Sequence, residues 1–114
     1  MAPPNCNAMA LVSIPLAPGK ADEALGLFKD HEWGLKYTMS MKGAVQFDFG
    51  IETAEDGSET LYIFEYWHEV ADYAAYVATR GDAELMKDWN AALGPCVAGA
   101  PSIKWFPHRA SYTN

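Results

Sequence analysis

Few side chains in this sequence are equipped for chemistry, and their spacing narrows them further. Tyr73 falls on the apolar stripe of a helical segment with Val70, Ala74 and Val77, and Tyr76 lies at the edge of that stripe. A phenol held there acts as an acid or donates a hydrogen bond to a substrate oxyanion. The alternative is a core tyrosine whose hydroxyl is satisfied by the protein. Glu65 shares a strand face with Trp67. If buried it needs a partner or a raised pKa, and a salt bridge at a subunit interface is the expectation ahead of catalysis. His31 follows Phe28 by three residues near the inward edge of the first helix, where an imidazole packs or serves as a base. Trp67 and Tyr76 each read as packing or as pocket lining. Lys87, between Met86 and Asp88, reads as a solvated helix residue or as a cation for an anionic substrate.

Other chemistries lack their residues. Pro18-Gly19-Lys20 has no second glycine at phosphate-loop spacing, and GxGxxG, HExxH and CxxC do not occur. Ser13 has no GxSxG context. Three scattered histidines and two distant cysteines make no ligand set, so no metal is expected.

The chain that must position these groups has 114 residues, one domain's worth, with half of them apolar and 20% charged. Its net charge of −7 disfavours a phosphate backbone as partner, so no nucleic acid is expected. A small molecule or a second copy of the chain fits better. No apolar run approaches the ~18 residues of a membrane span. The N-terminal stretch lacks a basic region, and Ser13 and Pro15 break its apolar run. Cys6 and Cys96 could pair if the ends of the domain meet, but free thiols in a reducing cytoplasm are the simpler expectation.

Residues 9–16 form a short apolar run closed by Pro15 and Pro18-Gly19, a first strand and turn. From Lys20 the period becomes helical, with Ala21, Ala24, Leu25, Phe28 and Leu35 on one face and fraying expected near Trp33-Gly34. Val45, Phe47, Phe49 and Ile51 then alternate with polar residues or glycine as a second strand. The turn dipeptide Asp56-Gly57 joins it to LYIFEYW, 61–67, in an antiparallel hairpin. A helix through Tyr73 follows. Arg80-Gly81-Asp82 interrupts before a second helix that carries Leu85, Met86, Trp89, Ala92 and Leu93 inward. Gly94-Pro95 stops that helix, and 103–107 supplies a last strand. The order β-α-β-β-α-α-β predicts an α+β, ferredoxin-like domain with helices on one face of an antiparallel sheet. Its core runs from about 9 to 107, with tails at 1–7 and 108–114. Tyr62, Phe64 and Tyr66 face away from Leu61, Ile63, Glu65 and Trp67, and one helix layer covers only one set. A homodimer is the economical cover for the other.

The stretches LVSIPLAPGKADEALGLF, LYIFEYW with Glu65-x-Trp67, and AELMKDWNAALGP together resemble the antibiotic biosynthesis monooxygenase (ABM) family of dimeric α+β barrels. The resemblance runs from about residue 9 to 95. It implies two subunits packed sheet to sheet, each with a pocket between its own sheet and helices. In the cofactor-independent oxygenases of that family the pocket carries the strand Trp, a Tyr six residues later and a basic residue about twenty beyond. Trp67, Tyr73 and Lys87 occupy those places, while Ile63 stands where those enzymes have an Asn that polarises a substrate oxygen. Haem-degrading relatives need a histidine on the last helices, and none lies between Glu69 and Pro107.

The resemblance therefore implies a cofactor-free monooxygenase for a small electron-rich aromatic such as a phenol, quinol or anthrone. Tyr73, Trp67, Lys87 and His31 are the expected catalytic groups, and Phe28, Ile63, Tyr76 and Trp89 the expected substrate contacts. The other reading is a non-catalytic dimer that shelters an apolar ligand in the same pocket.

Overall fold

The computed structural model describes residues 6–112 and 114. The expected loose lead-in, 1–7, lies mostly outside the described residues. Four strands form one antiparallel sheet: β1 (Ala8–Leu16), β2 (Ala44–Thr53), β3 (Glu59–Trp67) and β4 (Ser102–Pro107), in the order β2-β3-β1-β4. The helices are α1 (Ala21–Asp30), α2 (Leu35–Ser40), α3 (Val70–Arg80) and α4 (Lys87–Leu93), and α4 runs into one 3₁₀ turn, Gly94–Cys96. The domain is α+β and ferredoxin-like, as its order of elements predicts.

Register fixes which side chains meet the helices. Ile63 pairs with Val12 and Phe49, and Glu65 pairs with Ala10 and Phe47. Because successive side chains alternate, Leu61, Ile63, Glu65 and Trp67 share the helix-facing side. Tyr62, Phe64 and Tyr66 look away from it. A shift between Ala44 and Gln46 keeps Phe47 and Phe49 on the inner side despite the irregular start of β2. At the hairpin turn Gly57 has φ +86°, a left-handed conformation that glycine adopts without strain.

Two apolar clusters fill the layer between sheet and helices. Ile14, Leu16, Ala24, Leu61, Ile63 and Cys96 make one, and Ala8, Ala10, Trp67, Tyr73 and Tyr76 make the other. Ala8 and Ala10 leave room for the indole of Trp67, which is wholly buried. Truncating Trp67 to alanine would cost roughly 3–5 kcal/mol.

Three departures from the sequence pattern have local causes. The single helix expected after β1 is two. His31 is extended, its Nδ1 accepts the Trp33 N–H at 3.0 Å, and a Cβ on Gly34 would sit 2.5 Å from the Phe28 carbonyl. Only glycine permits that close return of the chain. The last helix is short because Asp82 accepts the Glu84 and Leu85 N–H groups, each at 3.1 Å, in a turn that leaves Leu85 exposed. Tyr76, expected at the edge of its stripe, is buried at the centre, while Ala74 is exposed.

Candidate functional site

Where the two clusters meet, a cavity of about 240 Å³ opens between sheet and helices. Ile14, Val12 and Ile63 form its floor from β1 and β3, and Phe28 and Trp89 contribute aromatic walls. Those two rings pack edge to face at 5.0 Å. Val77, Pro101 and the exposed Ile103 lie toward its mouth. The size is just below the ~300–1,000 Å³ usual for small-molecule pockets, and the wall is mostly apolar with a few polar groups. Those groups are Glu65, Tyr73, Tyr76, Arg80 and Asn90.

Helix α3 delivers three of them. Tyr73, Tyr76 and Arg80 stand at i, i+3 and i+7, one face of a helix. Arg80 is tied down by its donors. Nε donates to the Tyr76 hydroxyl at 2.7 Å, Nη2 to Thr38 Oγ1 at 3.0 Å and to the Gly34 carbonyl at 3.3 Å, and Nη1 to Met86 Sδ at 3.3 Å. The rings of Tyr37, Tyr76 and Trp89 surround its guanidinium, with centroids 5.3–5.4 Å away. The break between α1 and α2 thus has a use: it turns the Gly34 carbonyl and Thr38 toward Arg80.

The two tyrosines differ in what their hydroxyls do. Tyr76 is engaged twice, by Arg80 and by Thr38 Oγ1 at 2.8 Å. Burial raises its pKa, while the neighbouring Arg80 charge and the hydrogen bonds work against that rise. No hydrogen bond between described residues engages the Tyr73 hydroxyl, and none of its polar atoms is sealed off without a partner. Burial, with the Glu65 charge adding to it, raises the Tyr73 pKa. Tyr73 is therefore a protonated donor held against the cavity.

Glu65 is the one carboxylate on the cavity wall among the described residues. Its parity with Trp67 turns it toward the helices, so it does not lie on the open sheet face where a subunit salt bridge was expected. Its Oε1 accepts the Trp67 Nε1–H at 3.1 Å. Burial raises its pKa, and the Trp67 hydrogen bond and the Arg80 charge oppose that shift. It makes no ion pair with Arg80; among the described residues the ion pair is Lys20–Glu23.

Phe28, Ile63, Tyr73, Tyr76 and Trp89 are brought together on this wall. Trp67 is not on it. The indole lies behind, packed on Tyr76 at 4.8 Å and on Tyr73 at 6.2 Å. Lys87 is exposed, because the buried side of α4 is set by Met86 and Trp89 and Lys87 points away from both. His31 is half-buried outside the wall, its ring edge-on to Trp89 at 5.3 Å. The cation that reaches the cavity is Arg80, which the sequence pattern marks only as a helix interruption. Its i+7 spacing from Tyr73 was the available signal. Among the described residues, no group of three His, Cys, Asp or Glu is placed to hold a metal. Among the described residues, no helix is long and apolar enough to cross a membrane.

No protein-family model matches the sequence, and no curated protein matches it. Solved structures do match. A Streptomyces coelicolor monooxygenase in complex with nanaomycin D superposes with a TM-score of 0.70 at 17% identity, over 98% of this chain and 96% of that one. The chain has the fold of the antibiotic biosynthesis monooxygenases. A candidate antibiotic biosynthesis monooxygenase from Caulobacter crescentus is 22% identical with a TM-score of 0.66, over 92% of each chain. A Nitrosomonas europaea protein of unknown function superposes at 17% identity with a TM-score of 0.63, over 96% of this chain and 95% of that one. At these identities the likeness is one of fold, and a shared fold does not by itself assign a function.

Proposed function

We propose that this chain is a monooxygenase for a small, electron-rich aromatic substrate, a phenol, quinol or anthrone, and that it works as a homodimer without a bound cofactor. The observation that carries the reading is a Tyr73 hydroxyl that bonds to no described residue, on a mostly apolar wall and beside a tyrosine whose own hydroxyl is already taken. The Streptomyces coelicolor monooxygenase of the same fold holds nanaomycin D, which supports a small-molecule substrate. In this reaction the substrate anion supplies the electrons to dioxygen, so the protein's task is binding, proton control and exclusion of water. Tyr73 donates to the substrate oxygen as charge develops there. Arg80, fixed behind Tyr76, lowers the cost of that charge in a site with few other polar groups. Phe28 grips the ring with Trp89 rather than with Trp67, and Arg80 takes the part that the sequence spacing gives to Lys87.

The second copy is assigned to the open sheet face. Phe64 and Phe106 are 43% and 44% exposed there, and Met9 and Leu11 lie on the same side by register. A partner sheet removes this apolar area from water. Both cysteines are buried and free, which suits a reducing compartment such as the cytoplasm.

Oxygen uptake by metal-free protein with a panel of quinols and anthrones tests the reading, with Tyr73→Phe expected to lose ~100-fold in rate. The competing reading is a binding protein of the same fold, favoured by the apolar Ile63 on the wall. Saturable binding of the panel with no oxygen uptake from any member would establish it in place of the oxygenase.

A further inference from the structure

The cavity wall carries one carboxylate that the reaction as described leaves idle. We propose that Glu65 is the proton acceptor for the substrate, taking the acidic O–H or C–H proton from the ring gripped by Phe28 and Trp89. This rests on the oxygenase reading above and names the group that starts it.

Geometry gives Glu65 the features of a base. It lies on the cavity wall opposite the α3 groups, nearly inaccessible to water at 7% exposure. Trp67 Nε1–H holds Oε1 at 3.1 Å and so fixes the carboxylate plane, while no hydrogen bond between described residues is drawn to Oε2. The register neighbours on the two adjoining strands, Ala10 and Phe47, have nothing to titrate. The titratable and charged groups facing it come from α3: Arg80, Tyr73 and Tyr76. Arg80 spends its donors on Tyr76, Thr38, Gly34 and Met86 and does not pair with Glu65, so the carboxylate is kept from being neutralised by a salt bridge. Helix α4 adds Trp89, Asn90 and Leu93, which do not titrate. Burial makes this carboxylate more basic than a solvated one, which brings it nearer to a general base's working range.

The proton balance closes with dioxygen as oxidant. For an anthrone, Glu65 carboxylate removes one methylene proton and the electron pair stays on the ring as its enolate, hydrogen-bonded by Tyr73. The enolate carbon adds O₂, Glu65 returns its proton to the peroxide, and loss of water leaves the new carbonyl. One oxygen atom enters the product, the other leaves as water, and the carboxylate is regenerated.

Anaerobic mixing of the full-length protein with 1,8-dihydroxyanthrone tests the first step without turnover. The bound anion is read by its absorbance and binding is read by quenching of tryptophan fluorescence. The wild type is expected to form the anion at a pH where the free compound stays neutral. Glu65→Gln, close in shape and still able to accept from Trp67, is expected to bind the probe without forming the anion and to lose ~100-fold or more in aerobic rate. Trp67→Phe removes a hydrogen bond that favours the charged carboxylate, so the acid limb of its rate profile is expected to move to higher pH. An anion that persists in Glu65→Gln, or oxygen uptake at the wild-type rate in that variant, overturns the assignment while leaving the oxygenase reading in place. Anion formation that depends on Glu65 with no oxygen uptake upholds the assignment and sinks the oxygenase. No binding of this probe, or binding without the anion in the wild type, overturns the assignment.

Discussion

Arg80 Nε donates to the Tyr76 hydroxyl at 2.7 Å, and Thr38 Oγ1 meets the same hydroxyl at 2.8 Å. This pairing sorts the two cavity tyrosines, since it saturates Tyr76 and leaves Tyr73 as the available donor. It also uses the fork shape of the guanidinium, which reaches three polar partners and a sulfur at once. Lysine offers charge without the fork. Arg80→Lys is expected to destabilise the fold by about 2–3 kcal/mol in urea denaturation, through two or more lost charge-assisted hydrogen bonds. An unchanged midpoint would mean that the network contributes little to stability.

Tyr73→Phe separates chemistry from packing. Its ring packs on Trp67 and Trp105 and survives the substitution, while its hydroxyl bonds to no described residue. Stability is expected to change by less than ~1 kcal/mol, because no hydrogen bond to a described residue is lost. Oxygen uptake should fall far more than that. A variant equally stable and equally active would remove Tyr73 from the reaction.

The buried carboxylate makes stability depend on pH. Burial raises Glu65 above its ordinary value of 4.5, so the folded chain holds that proton more tightly than the unfolded one. The stability it contributes is complete below the unfolded value and is lost as pH rises through the raised folded value. Glu65→Gln has no such loss. Its melting temperature relative to the wild type should therefore climb as pH goes from about 4 to about 8. A difference independent of pH would show that Glu65 titrates as it does in solvent.

Dimer formation through the open sheet face is expected to double the 12.5 kDa mass of the chain in light scattering at micromolar concentration. Phe64→Glu places a charge among apolar side chains on that face and should yield monomer without touching the cavity. A wild type that scatters as a monomer would remove the second subunit from the proposal.

Cys96 offers a check on the core. Its Sγ donates to Glu23 Oε2 at 3.0 Å, and burial with the adjacent carboxylate pushes its thiol up to about 11. At about pH 8 only around one thiol in a thousand would be ionised, and none is accessible. Native protein is expected to resist thiol reagents at Cys96 and to react promptly in urea. Rapid labelling of the native chain at Cys96 would indicate that the end of α4 opens readily.

The sequence by itself determined the order of strands and helices, since a period of two along 45–51 and a period near 3.6 along 70–77 leave little choice of element. It also determined the parity of β3, and with it that Ile63 and Trp67 face one way and Phe64 the other. Parity is local, being set by backbone geometry. What the tertiary structure decided was which side chains converge. Lys87 stands at the sequence distance of the expected cation, yet its place on a short helix turns it to solvent. Arg80, which pattern alone reads as punctuation, reaches the cavity because Gly34, Thr38 and Met86 from distant segments gather around it. Glu65 shows the same division. Its face follows from alternation, but its burial, and its lack of an ion pair with any described residue, follow from Ala10, Phe47 and the α3 groups packed across the layer. Periodicity reports which face a residue occupies. Only long-range packing sets the partners, the dielectric and the distance to a ligand, and those quantities decide whether a titratable group does chemistry.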